Sequence, residues 1–357
     1  MVRSRQMPQI ALFLRAGVLL ALFLLGDGRY GVAQAPCDAE TTLSDVYGLS
    51  RRGKSEVWIT PTETSLRRNI AELPRLVDYA KTLQEGIVLA RERNRVLWAQ
   101  RLAIEETLKK KTPQLSPGDP KRKQLEENLK QLDALAVAPE KLGGAPSVQP
   151  HLIDVTNTRH AILLSVFAAR RDAAALKNEY TKLKEDATVR AALSRLEGDH
   201  RLGPLRDYSS DLRRLDEYEQ FVYSHPQPIY LQSGQIRVGA ILNDRTPATF
   251  TWRDSNKPTL ITATMAQRAG IKADNTSQPF VVRYPDGRSL SAYHAKLKSL
   301  RFGSCVLYDV DCYILPPEGE DRGAEISATA FAGYRVSVEP AMLRMRIEPP
   351  NQTTANQ

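Results

Sequence analysis

The sequence predicts a multidomain α plus β chain: an N-terminal signal peptide, a long α-helical hairpin or coiled-coil region, and a C-terminal all-β domain. Three observations predict it. A short apolar run follows a basic start. The middle of the chain places apolar residues at alternating three- and four-residue steps, the period of a helix seam. The last third is rich in Val, Ile, Thr and Tyr and is cut at short intervals by Gly, Pro, Asn and Asp, as short strands joined by tight turns require.

Arg3, Arg5 and Arg15 supply the basic start, Ala16 to Gly26 the apolar run, and Gly31-Val32-Ala33 the small residues that signal peptidase needs. Residues 1–33 therefore read as a cleavable signal with a mature start at Gln34, and the protein as secreted, periplasmic or bound to the cell envelope. The run is eleven residues long, well short of the roughly 20 that span a bilayer, so a retained signal anchor is the second choice and no integral span is expected after cleavage. Residues 34–60 read as a flexible tail.

Residues 61–223 read as helical. One seam runs through Leu73, Leu76, Ala80, Leu83, Ile87, Ala90, Leu97, Ile104 and Leu108. Asn94 and Arg101 interrupt it, weakening it or setting its register. Pro74 suits a first helical turn. After a breaker at Thr112–Pro120 comes a piece bearing Leu125, Leu129, Leu132 and Leu135, and after a Gly and Pro loop a third helix carries Ile162, Val166, Ala169, Ala173, Leu176, Tyr180, Leu183 and Ala187. Long helices joined by breakers make an antiparallel hairpin that closes on itself or pairs with a second copy, so a homodimer through the helices is one expected partner. A short helix over Leu205 to Val222 and a stiff linker at 224–228 lead into the β-domain, residues 229–348, and 349–357 read as a disordered tail.

Hydrophobic content of 42% is ordinary for a globular chain. Cleavage after residue 33 removes four arginines and one aspartate, so the formal charge falls from +9 to +6. Between residues 228 and 350 there are 15 basic and 12 acidic side chains, spread thinly, and no basic patch interleaved with aromatics points to nucleic acid. The five histidines are scattered, no Cys and His cluster has ligand spacing, and neither metal nor cofactor is expected. Three cysteines, Cys37, Cys305 and Cys312, leave at least one thiol unpaired within the chain. The odd separation of Cys305 and Cys312 places them on opposite faces of a continuous strand.

The order of segments in the last third resembles the single-domain retropepsin-like aspartic proteases, the retroviral-type relatives of pepsin. Ile236–Asp244 looks like the opening strand and turn, Ala248–Trp252 like the strand leading to the nucleophilic motif, and Met265–Ile271 like the short helical phrase. Tyr284-Pro285-Asp286-Gly287-Arg288 looks like the tip of the flap hairpin, Leu297–Gly303 and Val306–Val310 like the strands behind it, and Glu325–Phe331 with Tyr334–Val336 like the closing segment. Asp286-Gly287 also has a warrant of its own, because that pair tolerates the positive φ of a tight turn.

The resemblance implies an Asp-Thr-Gly or Asp-Ser-Gly turn from each of two half-sites, whose carboxylates share one proton so that one acts as base and the other as acid. Counted back from Thr262 without a gap, Arg253-Asp254-Ser255 occupies that turn; with a one-residue deletion, Asp254-Ser255-Asn256 does. The first alignment loses the acid, and the second replaces Gly by Asn, the next best residue for a left-handed backbone. The closing segment puts Ser327 where the family has Gly. A guanidinium at Arg253 would hold an adjacent carboxylate ionised, against the shared-proton state, while at a strand end Arg253 and Asp254 can equally point to opposite faces and meet solvent. The expected function is a catalytically inactive binding or assembly module that takes a protein or peptide ligand in the groove. The alternative is a dimeric aspartic endopeptidase using Asp254 of each chain. The candidate site residues are Asp254, Ser255 and Asn256, with Tyr284, Asp286 and Gly287 on the flap.

Overall fold

The computed structural model describes residues 38–349 except 52–54, 113–115, 117, 206–207, 275 and 285. The segment read as a signal peptide, and all but the first residue of the tail at 349–357, lie outside the described residues.

Helices α1 (Ala39–Thr41) and a following π turn (Thr42–Val46) lead to β1 (Ser50–Arg51) and β2 (Val57–Ile59), which pair antiparallel; β2 also pairs in parallel with β3 (Arg201–Leu202). The expected flexible tail is thus packed from Ala39 onward. Leu43, Leu49 and Trp58 are buried in the helical core, and these isolated apolar anchors among polar neighbours overcome the chain entropy that the composition suggested.

Helix α2 (Pro61–Lys111) runs 51 residues, about 75 Å at 1.5 Å per residue. Thr60 caps it by accepting from the Glu63 N–H at 3.1 Å, with Pro61 in the first turn. Pro74 lies inside the helix, not at its start. Leu66, Ile70 and Leu73 bury the preceding turns, and that packing offsets the hydrogen bond proline removes. Helix α3 (Pro120–Leu135) folds back along α2, and Arg101 bonds Asp133 at 2.6 Å. Asn94 is buried, with both amide atoms 3.0 Å from the backbone N and O of Val137, so it fixes the return of the chain.

After a 3-10 turn (Pro139–Gly144), α4 (Gln149–Glu185) runs antiparallel to α2: Tyr180 meets Glu63, and His151 lies against Gly86. Ile162, Val166, Ala169, Leu176 and Tyr180 bury against Leu66, Ile70, Leu73, Val77 and Ala80, so the hairpin closes within one chain. Helix α5 (Ala187–Arg195), capped by Asp186, and α6 (Tyr208–Tyr223) complete the layer. Among the described residues, no helix is long and apolar enough to cross a membrane.

The C-terminal part contains β4 (Gln227–Gln232), β5 (Gln235–Leu242), β6 (Thr246–Arg253), β7 (Thr259–Ile261), α7 (Ala263–Ala269), β8 (Phe280–Arg283), β9 (Ser289–Phe302), β10 (Cys305–Ile314), β11 (Ala324–Ser327), β12 (Arg335–Glu339) and β13 (Arg344–Glu348). The expected linker at 224–228 is shorter than read, since Gln227 and Pro228 already belong to β4; the buried Gln227 amide donates to the Gly239 carbonyl at 3.0 Å. The sheet order is β12-β13-β4-β5-β6-β11-β7-β10-β9-β8, and Ile241↔Arg301 and Leu242↔Leu300 join β5 to β9. Six strands, β5, β6, β11, β7, β10 and β9, therefore close into a ring, which removes their edges. Among the described residues Cys305 and Cys312 are both unpaired and buried, and burial pushes their thiols up to about 11 and about 12, so neither is a nucleophile at neutral pH.

Strand β5 joins the two layers. Its alternate residues Val238, Ala240 and Leu242 fill the ring with Phe250, Leu297 and Phe302, whereas Ile241 belongs to the helical core. Gly239 lies on that second side under α4, where a Cβ would meet Thr156 Cγ2 at 2.4 Å and the His160 ring at 2.8 Å. Burial, with Arg159 beside it, holds His160 down at about 4 from its ordinary 6.5. The imidazole thus stays neutral in the fold and charges first in the unfolded chain. Stability from this contact is expected to be complete above pH 6.5 and to fall as pH drops from 6.5 toward 4. Urea midpoints across that range check it, and His160→Gln should flatten the slope.

Candidate functional site

A row of paired residues crosses three strands of the ring. Arg237 of β5 stands opposite Thr251 of β6, and Thr251 opposite Glu325 of β11. Directly opposed side chains share a face. Arg253, two residues beyond Thr251, shares it too and reaches Glu325 with Nη2 at 2.9 Å and Nε at 3.2 Å. Arg322 approaches from the 3-10 turn Pro317–Arg322, with Nε 3.0 Å from Oε1 and Nη2 3.1 Å from Oε2. Glu325 is 3% exposed, and both its oxygens are engaged by guanidinium N–H groups.

Beside this constellation opens a cleft of about 850 Å³. Its floor is the end of β6 with Asp254, Ser255 and Lys257; one wall is Ser233, Gln235 and Arg237; the other is Arg283, Tyr284, Asp321 and Arg322. Two closing-segment hydroxyls pin the floor: Ser327 Oγ donates to the Lys257 carbonyl and lies 2.7 Å from Thr329 Oγ1, which donates to the same carbonyl at 3.0 Å. Ser327, where the family resemblance expects Gly, is therefore a tie between β11 and the loop.

Tyr284 is buried and donates to the Gly319 carbonyl at 3.3 Å, with the guanidinium carbons of Arg288 and Arg322 4.7 and 5.3 Å from its ring. Burial raises its phenol, which keeps it a neutral donor. At the hairpin tip Gly287 takes φ +87° and its N–H donates to the Tyr284 carbonyl at 3.1 Å. Asp286 accepts from the Arg288 backbone and guanidinium, which lower its carboxyl.

Of the expected site residues, the fold brings Asp254, Ser255 and Tyr284 to one cleft, while Asn256, Asp286 and Gly287 do not line it. Pro285 lies outside the described residues. Asp254 is exposed, and among the described residues its carboxylate has no hydrogen-bond or ion-pair partner. Arg253 does not simply meet solvent; it turns to Glu325, because a half-exposed guanidinium beside a buried carboxylate gains more from that pair than from water. Arg237, Glu325 and Arg322 are cleft residues that sequence reasoning missed. The available signal was an acid inside the apolar strand Ala324-Glu325-Ile326, which needs a cationic partner if buried.

A family model described as Aspartyl protease matches residues 255–327, from the cleft floor through the flap hairpin to the end of β11. Residues 255–327 are thus similar to the aspartyl protease family. The match to the family model begins one residue after Asp254 and takes in Glu325 and Ser327. Among solved structures, a retropepsin-like aspartic protease from Rickettsia conorii is 10% identical with a TM-score of 0.27, over 34% of this chain and 88% of that one. No curated protein matches.

Chemically, the cleft offers hydrogen-bond donors and positive charge. Five cations, Arg237, Arg253, Lys257, Arg283 and Arg322, face three acids, Asp254, Asp321 and Glu325. A shared-proton pair needs a second carboxylate beside Asp254, and the buried one that lines the cleft is already held by two arginines.

Proposed function

We propose that the retropepsin-like domain binds a protein or peptide ligand without cleaving it, in an exported protein whose helical layer serves assembly. The Arg253–Glu325–Arg322 constellation carries this reading. It fills the end of the motif strand with a permanent cation and commits the one buried acid of the cleft to counter-ion duty. Export follows from the basic start, apolar run and small residues at positions 1–33. Assembly through the helices is supported by Val88 and Leu89 on α2 and Leu135 on α3, all exposed.

The second reading, a dimeric endopeptidase with Asp254 from each chain, is favoured by one observation: the Asp254 carboxylate is exposed, lines the cleft and has no partner among the described residues. Purified mature protein incubated with a denatured protein substrate at acid pH separates the two. The expected result is an unchanged substrate on mass spectrometry for both the parent and Asp254→Asn. Cleavage that Asp254→Asn abolishes would establish the endopeptidase.

A further inference from the structure

We infer that the cleft selects an acidic extended peptide, an inference that rests on the binding reading above and adds the charge of the ligand. Two of the five cleft cations, Arg253 and Arg322, share Glu325, and Asp321 is held from outside by Arg288 at 2.8 Å. Arg237, Lys257 and Arg283 have no ion pair among the described residues, and Asp254 is the single acid of the cleft without one. A cleft lined by unneutralised cations of one sign attracts carboxylates and focuses their field.

Unspent donors point the same way. The Arg237 Nε–H and the Ser255 hydroxyl are buried without a hydrogen-bond partner, and both residues line the cleft. Each is covered by protein atoms, so a ligand carboxylate meets it only once its side chain turns toward the cleft. Arg237 is already oriented, since its Nη1 donates to Thr251.

The shape suits a peptide. A cleft of about 850 Å³ lies within the range of ligand clefts and exceeds what a lone carboxylate fills. Strand β8, whose last residue Arg283 lines the cleft, ends the sheet order and pairs with β9 alone. Among the described residues no strand pairs with its other edge; the Arg283 carbonyl at its end is taken by Arg322 Nη1 at 3.2 Å, so an extended segment would add along the preceding residues of β8.

The test is isothermal titration of the full mature chain at neutral pH with three probes: a short peptide alternating Asp and Val, the same peptide with Asn for Asp, and free aspartate. The acidic peptide is expected to bind at least about tenfold more tightly than either other probe, and more weakly as salt is raised. Lys257→Gln with Arg283→Gln, two exposed side chains, should remove about tenfold of that affinity with the circular dichroism unchanged. Asp254→Asn should strengthen binding by removing the one opposing charge. Equal affinity for the Asn peptide would overturn the selection of acid while leaving peptide binding intact, and equal affinity for free aspartate would overturn the peptide. Absence of binding by all three overturns the inference. Cleavage of the acidic peptide would instead overturn the non-catalytic reading and leave the charge selection standing.

Discussion

Gly239→Val is expected to cost about 3 kcal/mol of stability and to loosen the helical layer from the ring of strands. The position admits no Cβ: Thr156 Cγ2 stands 2.4 Å from where one would lie, and the His160 ring 2.8 Å. Neither neighbour has an easy escape. Thr156 is branched at Cβ, sits inside α4 and donates to the Leu152 carbonyl at 2.7 Å, so its rotamer is fixed; His160 is buried on the same face. The added methyls must therefore push α4 bodily away, which uncovers Ile241 as well. Urea denaturation followed by far-UV circular dichroism measures the loss. Thr156→Ala combined with Gly239→Ala should recover part of it, since the nearest clashing atom is then gone, and strict additivity of the two changes would show that the contact is not the cause.

Glu325→Ala is the second large effect, about 4 kcal/mol, because it leaves the mostly buried guanidinium of Arg322, 17% exposed, beside that of Arg253 without a counter-charge. The asymmetry between partners is informative. Arg253→Gln should cost only about 1 kcal/mol, since that side chain is 37% exposed and screened by solvent, and Arg322 still neutralises the carboxylate. Removing all three charges together should restore most of the lost stability, as buried ion clusters replaced as a set do. Thermal unfolding of the three variants decides it. Equal losses for Glu325→Ala and Arg253→Gln would mean that Glu325 is not the hub of the site.

Much of the architecture was readable without coordinates because it rests on local periodicity. The seam of α4 from Ile162 to Leu183 and the hairpin turn at Asp286-Gly287 are near-neighbour patterns, and the fold kept both, while Ala187, the last residue of the expected seam, opens α5 beyond the break at Asp186. What escaped depends on distant parts of the chain. Trp58 and Leu43 look like stray apolar residues in a polar leader until α2, α4 and α5 surround them. Pro74 looks like a helix start until buried Ile70 and Leu73 on the turn before it hold the helix together. In the site, Asp254, Ser255 and Tyr284 were legible from segment order. Glu325 met Arg253 only because β11 lies in parallel beside β6, 72 residues away in sequence, and an isolated glycine in a strand signals close approach without naming the neighbour.

The two-sided burial of β5 also sets an order of events when the chain is made. Helix α4 precedes β5 in sequence, so the surface that covers Gly239 and Ile241 exists before those residues emerge. A ring of strands closing through pairs as distant as Leu242 and Leu300 is slow to form, and its opening strand would otherwise wait with an apolar side bare. Here the helical layer is the mould on which the first strand is laid.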